Sequence, residues 1–272
     1  MFIKDAKIYV PLLVFIIVFV EKGQSALSQQ NVQNIIEDII HKRFDHRKLQ
    51  DIIKEKNKGR RQQMAKGGQF TIALSLTKDE CDNGKMERSN VDFQKVVEDM
   101  ANGVVFNSGG VTAAIPLFTY IQDAVAAQKE EVHSEYRVLN ELKSNFNKAS
   151  DKVCLILYTH NSPCRESCLE GKVLNIIQPL NDVFRKVDNG YKAVVFDHIY
   201  RDDKMQTRER VFNSLKKIPV TTYCCYYNTV FGCALLDHNK RANDQECLSE
   251  LDEGSQSSDD DKPLRKKPKN NS

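Results

Sequence analysis

Residues Val153–Thr159, VCLILYT, form an almost wholly apolar run of strand length. Neither face of such a strand can meet water, so it reads as an interior strand of a sheet covered on both sides. YKAVVFDHIY (Tyr191–Tyr200) has the same character, and VTTYCCYY (Val220–Tyr227) reads as a further strand after Pro219. Helical segments separate them. HSEYRVLNELKSNF (His133–Phe146) puts Val138, Leu139 and Leu142 on one helix face ahead of the first run. PCRESCLEGKVLNIIQPLNDVFRKV (Pro163–Val187) reads as a helix with weak points at Gly171 and Pro179, and residues 204–217 as another. This alternation predicts an α/β fold in three layers, a mixed sheet with helices on both faces. A helix between the last two strands lets them run parallel rather than as a hairpin.

Upstream, Ile35, Ile36, Ile39, Ile40 and Phe44 recur at helical spacing, and Leu49, Ile52 and Ile53 extend the stripe. Residues 29–57 therefore read as one or two amphipathic helices. QFTIALSL (Gln69–Leu76) alternates Phe70, Ile72, Leu74 and Leu76, the pattern of a half-buried strand. Phe93, Val96, Val97 and Met100 return to helical period, and GVVFNSGGVTAAIP (Gly103–Pro116) reads as strand, Gly-Gly turn and extended chain. A sheet of about five strands is expected.

At the N-terminus, Lys4 and Lys7 precede an apolar run, Ile8–Val20, interrupted by Pro11, and EKGQSA then supplies small residues. That is the pattern of a cleaved export signal covering about residues 1–25. The run is shorter than the roughly twenty residues of a spanning helix, so no stable membrane insertion is expected after cleavage. The whole chain carries a formal charge of +3. Without the signal the charge is about +2, too near neutrality to imply a polyanionic partner by itself. Two basic runs stand out, KEKNKGRR (Lys54–Arg61) and KPLRKKPK (Lys262–Lys269). The one glycosylation sequon is Asn270-Asn-Ser272. From about Leu251 the composition is that of a disordered, charged tail, residues 251–272. Between signal and tail lie an N-terminal helical segment, 26–64, and one domain, 65–250.

Eight cysteines in an exported chain argue for disulfides. Cys164 and Cys168, in NSPCRESC, suit another chemistry. Residues at i and i+4 share a helix face, so both sulfurs can reach one ion. Pro163 suits a first helical position and Ser162 its cap, and a helix start favours the thiolate that a metal needs. Upstream, His133-Ser-Glu135 opens the preceding helix. A helix–strand–helix unit can set both helix starts on one side of the sheet, where one imidazole and two thiolates leave a fourth zinc position for water. Glu135, two residues from His133, is then near enough to move protons without occupying the metal.

His-x-Glu followed by Pro-Cys and a second cysteine resembles the zinc-dependent nucleobase deaminases. YTHNSPCRESC (Tyr158–Cys168) also resembles the strand-to-helix segment of the AID/APOBEC branch, and the export signal points to its secreted members. The resemblance covers about residues 65–230. It implies a cytidine deaminase-like fold, one Zn2+ per chain with a catalytic water, and metal ligands His133, Cys164 and Cys168. It further implies that Glu135 shuttles protons to N3 and then to departing ammonia as cytosine becomes uracil. The substrate would be a cytosine-containing nucleoside or single-stranded DNA or RNA. Tyr200 matches the aromatic of the cytosine pocket, with Asn161 and Ser162 beside it. Two departures are visible. Asn161 stands where the branch usually has Trp, and the cysteines are one residue further apart than in its commonest form.

The other six cysteines allow fifteen connectivities as three disulfides. Cys154, inside the apolar strand, is open to a disulfide or to a buried free thiol. Cys224 and Cys225 are adjacent on a strand and point to opposite faces, so different fates are expected. A Cys233–Cys247 bridge is the pairing expected for the FGC segment. Two other readings set limits: a non-catalytic secreted binding protein that keeps zinc as a structural staple, and an intracellular chain with LRKKPK as a nuclear signal.

Overall fold

The computed structural model describes residues 27–58, 68–87, 90–120, 129–145, 153–227, 230–249 and 251. The export segment, the sequon and the basic run at 262–269 lie outside them, as do residues 59–61 of the first basic run. Among the described residues no helix is long and apolar enough to cross a membrane. The strands are β1 (Thr71–Thr77), β2 (Phe106–Ser108), β3 (Val111–Ala114), β4 (Leu117–Tyr120), β5 (Lys129–Val132), β6 (Val153–Asn161), β7 (Lys192–His198), β8 (Thr222–Tyr227) and β9 (Phe231–Leu235). The α-helices are α1 (Gln29–Ile36), α2 (His46–Asn57), α3 (Lys78–Asp82), α4 (Phe93–Ala101), α5 (Ser134–Asn145), α6 (Ile177–Phe184) and α7 (Arg208–Leu215).

Seven strands make one mixed sheet in the order β2-β3-β1-β6-β7-β8-β9, and β4 pairs with β5 separately. The main sheet has two strands more than expected. The Gly-Gly segment supplies both β2 and β3, with Gly109 and Gly110 at φ 59° and 80°, the two positive values that a type I′ hairpin turn requires. The FGC segment supplies the edge strand β9. β6 runs parallel to β7, and β7 parallel to β8, as the intervening helix permits. β1 pairs antiparallel with β6.

Alternation along β6 builds both cores. Cys154, Ile156 and Tyr158 face one, shared with α1, α2 and α4; Leu155 and Leu157 face the other, shared with α5, α6 and α7. β1 differs from its half-buried pattern. Thr71 and Ala73 are as buried as Ile72 and Leu74, because α5 lies over their face.

The segment 163–187 is not one helix. A π-helical turn, Arg165–Leu169, follows Cys164, and α6 begins only at Ile177. Gly171 marks the break: a Cβ there would meet the Ser167 carbonyl oxygen at 2.3 Å. Pro179 is the third residue of α6, where its missing N–H would have had no helical acceptor. Cys164 itself is the cap residue of the turn, with no side-chain hydrogen bond to the turn's backbone amides. Ser162 therefore does not cap it; its Oγ accepts from the Tyr200 amide at 3.0 Å.

All six remaining cysteines are bridged: Cys81–Cys154, Cys224–Cys247 and Cys225–Cys233. Cys154 is thus not a free thiol, since α3 carries Cys81 against its buried face. Cys233 does not meet Cys247. It lies opposite Cys225 in the β8–β9 ladder, while Cys247 reaches Cys224 on the other face. Loop closure separates their contributions. The Cys81–Cys154 separation of 73 residues corresponds to about 4 kcal/mol, and the 8 residues of Cys225–Cys233 to about 2.5 kcal/mol. Replacing both members of each pair by alanine should therefore lower stability more for the first bridge, by roughly these amounts, in denaturant titrations.

Candidate active site

α5 and β6 bring the candidate residues together. His133 sits immediately before α5, whose start is fixed by Arg137: its guanidinium donates to the carbonyls of Ile115 (2.5 Å) and Gly103 (2.6 Å). β6 ends at Asn161, and the chain turns through Ser162 and Pro163 to Cys164. His133 Nδ1 lies 3.2 Å from Cys168 Sγ and 3.6 Å from Cys164 Sγ, and the sulfurs are 3.4 Å apart. One nitrogen and two sulfurs form a metal-competent group. A tetrahedral zinc ion would separate such ligand atoms by about 3.6 to 3.8 Å, so the donor set fits the ion closely in type and spacing.

The electrostatics agree with a site that holds thiolate. Burial opposes charge on His133, but Cys164, Glu135 and Glu131 outweigh it and raise the imidazole to about 9. The Cys168 thiol, and then His133, bring Cys164 down to about 4 against the effect of burial, while Cys168 is raised well above the ordinary thiol value. The five-residue turn is too short to contribute a helix-end field.

Glu135 is fully buried, and burial raises its carboxyl above the usual range, with His133 opposing. Its Oε1 accepts from Gln69 Nε2 (2.9 Å) and Thr159 Oγ1 (3.2 Å), and its Oε2 from Ser134 Oγ (3.1 Å). Thr71 Oγ1 adjoins Ser134 Oγ at 2.8 Å. Gln69 and Thr71 were not singled out from the sequence. Their signal was polar residues at alternate positions on one face of a strand, matched by Thr159 and Asn161 opposite.

The residues expected at the base pocket divide. Ser162 is buried and ties Tyr200 to the turn that carries Cys164 through its hydroxyl, while its own amide donates to the His198 carbonyl at 2.6 Å. Tyr200 is partly buried on this side of the sheet, and burial pushes its phenol well up. Asn161 turns instead toward β1, donating from Nδ2 to Gln69 Oε1 at 2.6 Å. Asp203, in the 3₁₀ turn Arg201–Met205, had no sequence signal; its Oδ2 accepts from the Arg165 amide (2.9 Å) and so fastens the turn after Tyr200 to the residue after Cys164. Burial raises that carboxyl to about 6.

A family model described as Secreted Novel AID/APOBEC-like Deaminase 1 matches residues 46–251. The chain belongs to that family. None of the curated proteins matches it. Membership makes it a secreted deaminase of the AID/APOBEC-like type with a cytidine deaminase fold, here carrying a seven-stranded sheet. The match begins at the start of α2, so α2 falls within the family's own extent.

On the other face of the deaminase sheet, at the same strand ends, a cavity of about 170 Å³ is lined by His41, His46, His160, His198, Asp197 and Phe70, among others. His160 stacks on Phe70, with centroids 5.1 Å apart. Burial, then His46, His198 and His41, lower His160 to about 3, and burial lowers His41 as well. Below about pH 6.5 the unfolded chain binds protons at these positions that the folded chain refuses, so this part of the stability falls as pH falls. His160→Phe should reduce the slope of stability against pH between 6.5 and 4.5 by about 1.4 kcal/mol per pH unit, read from urea midpoints.

Proposed function

We propose that this secreted deaminase is zinc-dependent and hydrolyses cytosine to uracil, with His133, Cys164 and Cys168 as metal ligands and Glu135 as the catalytic proton carrier. The observation that carries this reading is the convergence of one imidazole and two sulfur donors beside a fully buried carboxyl group. Zinc bound there would supply a water-derived nucleophile near neutral pH. Glu135 takes the water's proton, delivers it to cytosine N3, and then protonates the leaving amino group, so that water and cytosine become uracil and ammonia. Tyr200 forms a wall of the base pocket, held by Ser162, and Asp203 orders the turn that follows it.

A single-stranded polynucleotide is the favoured substrate over a free nucleoside. Parallel β7 and β8 support this choice, because connections at that end of the sheet pass through helices and leave the pocket open to a long chain. Outside the cell, such an activity suits defence against foreign nucleic acid. The test is incubation of the purified protein with cytidine, single-stranded DNA and single-stranded RNA, scoring uracil or uridine. Glu135→Ala should keep zinc and lose product by at least about 100-fold. Cys164→Ser should lose zinc and stability together, because the ion joins two chain segments. Zinc retained in wild type with no product from any substrate would favour a structural zinc site in a binding protein.

A further inference from the structure

The β1–β6 ladder does not stop at Thr71 and Thr159. The His160 amide donates to the Phe70 carbonyl at 3.0 Å, and this continues the antiparallel register so that Gln69 faces Asn161. Period-two alternation then sets Gln69, Thr71, Thr159 and Asn161 on one face, beneath the start of α5.

Within that group the orientation of one amide is dictated. The Asn161 backbone N–H, which can only donate, lies 3.1 Å from Gln69 Oε1, and Asn161 Nδ2 lies 2.6 Å from the same oxygen. Both lone pairs of that carbonyl are used. Gln69 Nε2 must therefore face the other way, where it donates to Glu135 Oε1 and Thr159 Oγ1, each at 2.9 Å. A flipped amide would set N–H against N–H at Asn161. Glu135 Oε1 is thus met by a group that can only donate. Oε2 accepts from the Ser134 hydroxyl, which can turn between donating to it and donating to Thr71, and the backbone amide of Glu135 also bonds the carboxyl.

We propose that Gln69 is a positioning residue for Glu135: oriented by Asn161, it holds Oε1 as an acceptor and so fixes the direction in which the carboxyl group faces. Asn161 then acts on the reaction through Gln69, not by forming a wall against the base. This rests on the reading of Glu135 as the proton carrier.

The experiment is a double-mutant cycle on the zinc-loaded protein. Gln69→Leu should lower kcat about 100-fold, with KM and zinc content unchanged. Asn161→Leu should lower kcat about 10-fold, since the amide is then free to turn, and the double variant should be no worse than Gln69→Leu. The isosteric Gln69→Glu keeps the acceptor for Asn161 but sets a carboxylate oxygen against Glu135 Oε1, and should be at least as impaired as Gln69→Leu. Losses that multiply in the double variant, or a raised KM with unchanged kcat in Asn161→Leu, would overturn the proposal.

A readout without turnover keeps this separate from the deaminase reading. With cobalt(II) in place of zinc, the pH midpoint of the visible spectrum should move in Glu135→Gln, in the same direction in Gln69→Leu, and partway in Asn161→Leu. A midpoint moved by Glu135→Gln but by neither of the other substitutions would sink the positioning role. Wild-type protein inactive on all three substrates would refute the deaminase reading alone.

Discussion

Everything in this molecule hangs on β6 having no exposed side. It is bonded to β1 along one edge and to β7 along the other, and its two faces fill two separate cores. A strand so enclosed cannot slip by one residue without exchanging the contents of both cores. That fixed register sets which side chains at its end point toward α5 and which point away. Thr159 and Asn161 reach the Glu135 side, while Tyr158 and His160 reach the histidine-lined cavity. The metal-competent turn follows three residues later, so its placement derives from the same register.

The polar group beneath α5 carries an energetic lesson. An ionised carboxylate with no accessible surface is costly unless donors surround it. Here Gln69, Thr159 and Ser134 supply them, and each is itself hydrogen-bonded again to Asn161, Thr71 or the backbone. Such a network rigidifies its surroundings because any member that moves leaves a buried polar atom unsatisfied. Among the described residues, a carboxyl with no accessible surface thus sits where β1 and β6 are held from both faces.

Much of this was legible in the sequence because it depends on short-range pattern. The apolar runs announced β6 and β7, the helix between β7 and β8 allowed the parallel pairing of those two strands, and His-x-Glu with Pro-Cys announced the donor group. What stayed hidden depends on register between distant segments. Gln69 meets Asn161 only because the β1–β6 ladder extends two residues past Thr71. Likewise, Cys233 finds Cys225, and not Cys247, only because the β8–β9 hairpin sets them opposite. The π turn at Arg165 and the break at Gly171 were also out of reach, since a carbonyl 2.3 Å from an imagined Cβ is a property of the folded backbone. Asp203 acts across a loop with no periodicity to betray it.

The adjacent pair Cys224–Cys225 ties β8 covalently to two other parts of the chain, the edge strand β9 and the turn that carries Cys247. Its side chains leave the strand in opposite directions, one bridge closing within each core. A load that peels β9 from the sheet therefore meets the Cys225–Cys233 bridge as well as the ladder hydrogen bonds, and a pull on the chain at Cys247 is carried to Cys224 on β8. An edge anchored in that way does not lend itself to unzipping or to strand exchange with a neighbouring copy. For a protein outside the cell, the β9 edge is thus held twice, by the bridge to β8 and by α1, whose Gln29 and Gln33 side chains donate to the Cys233 and Phe231 carbonyls.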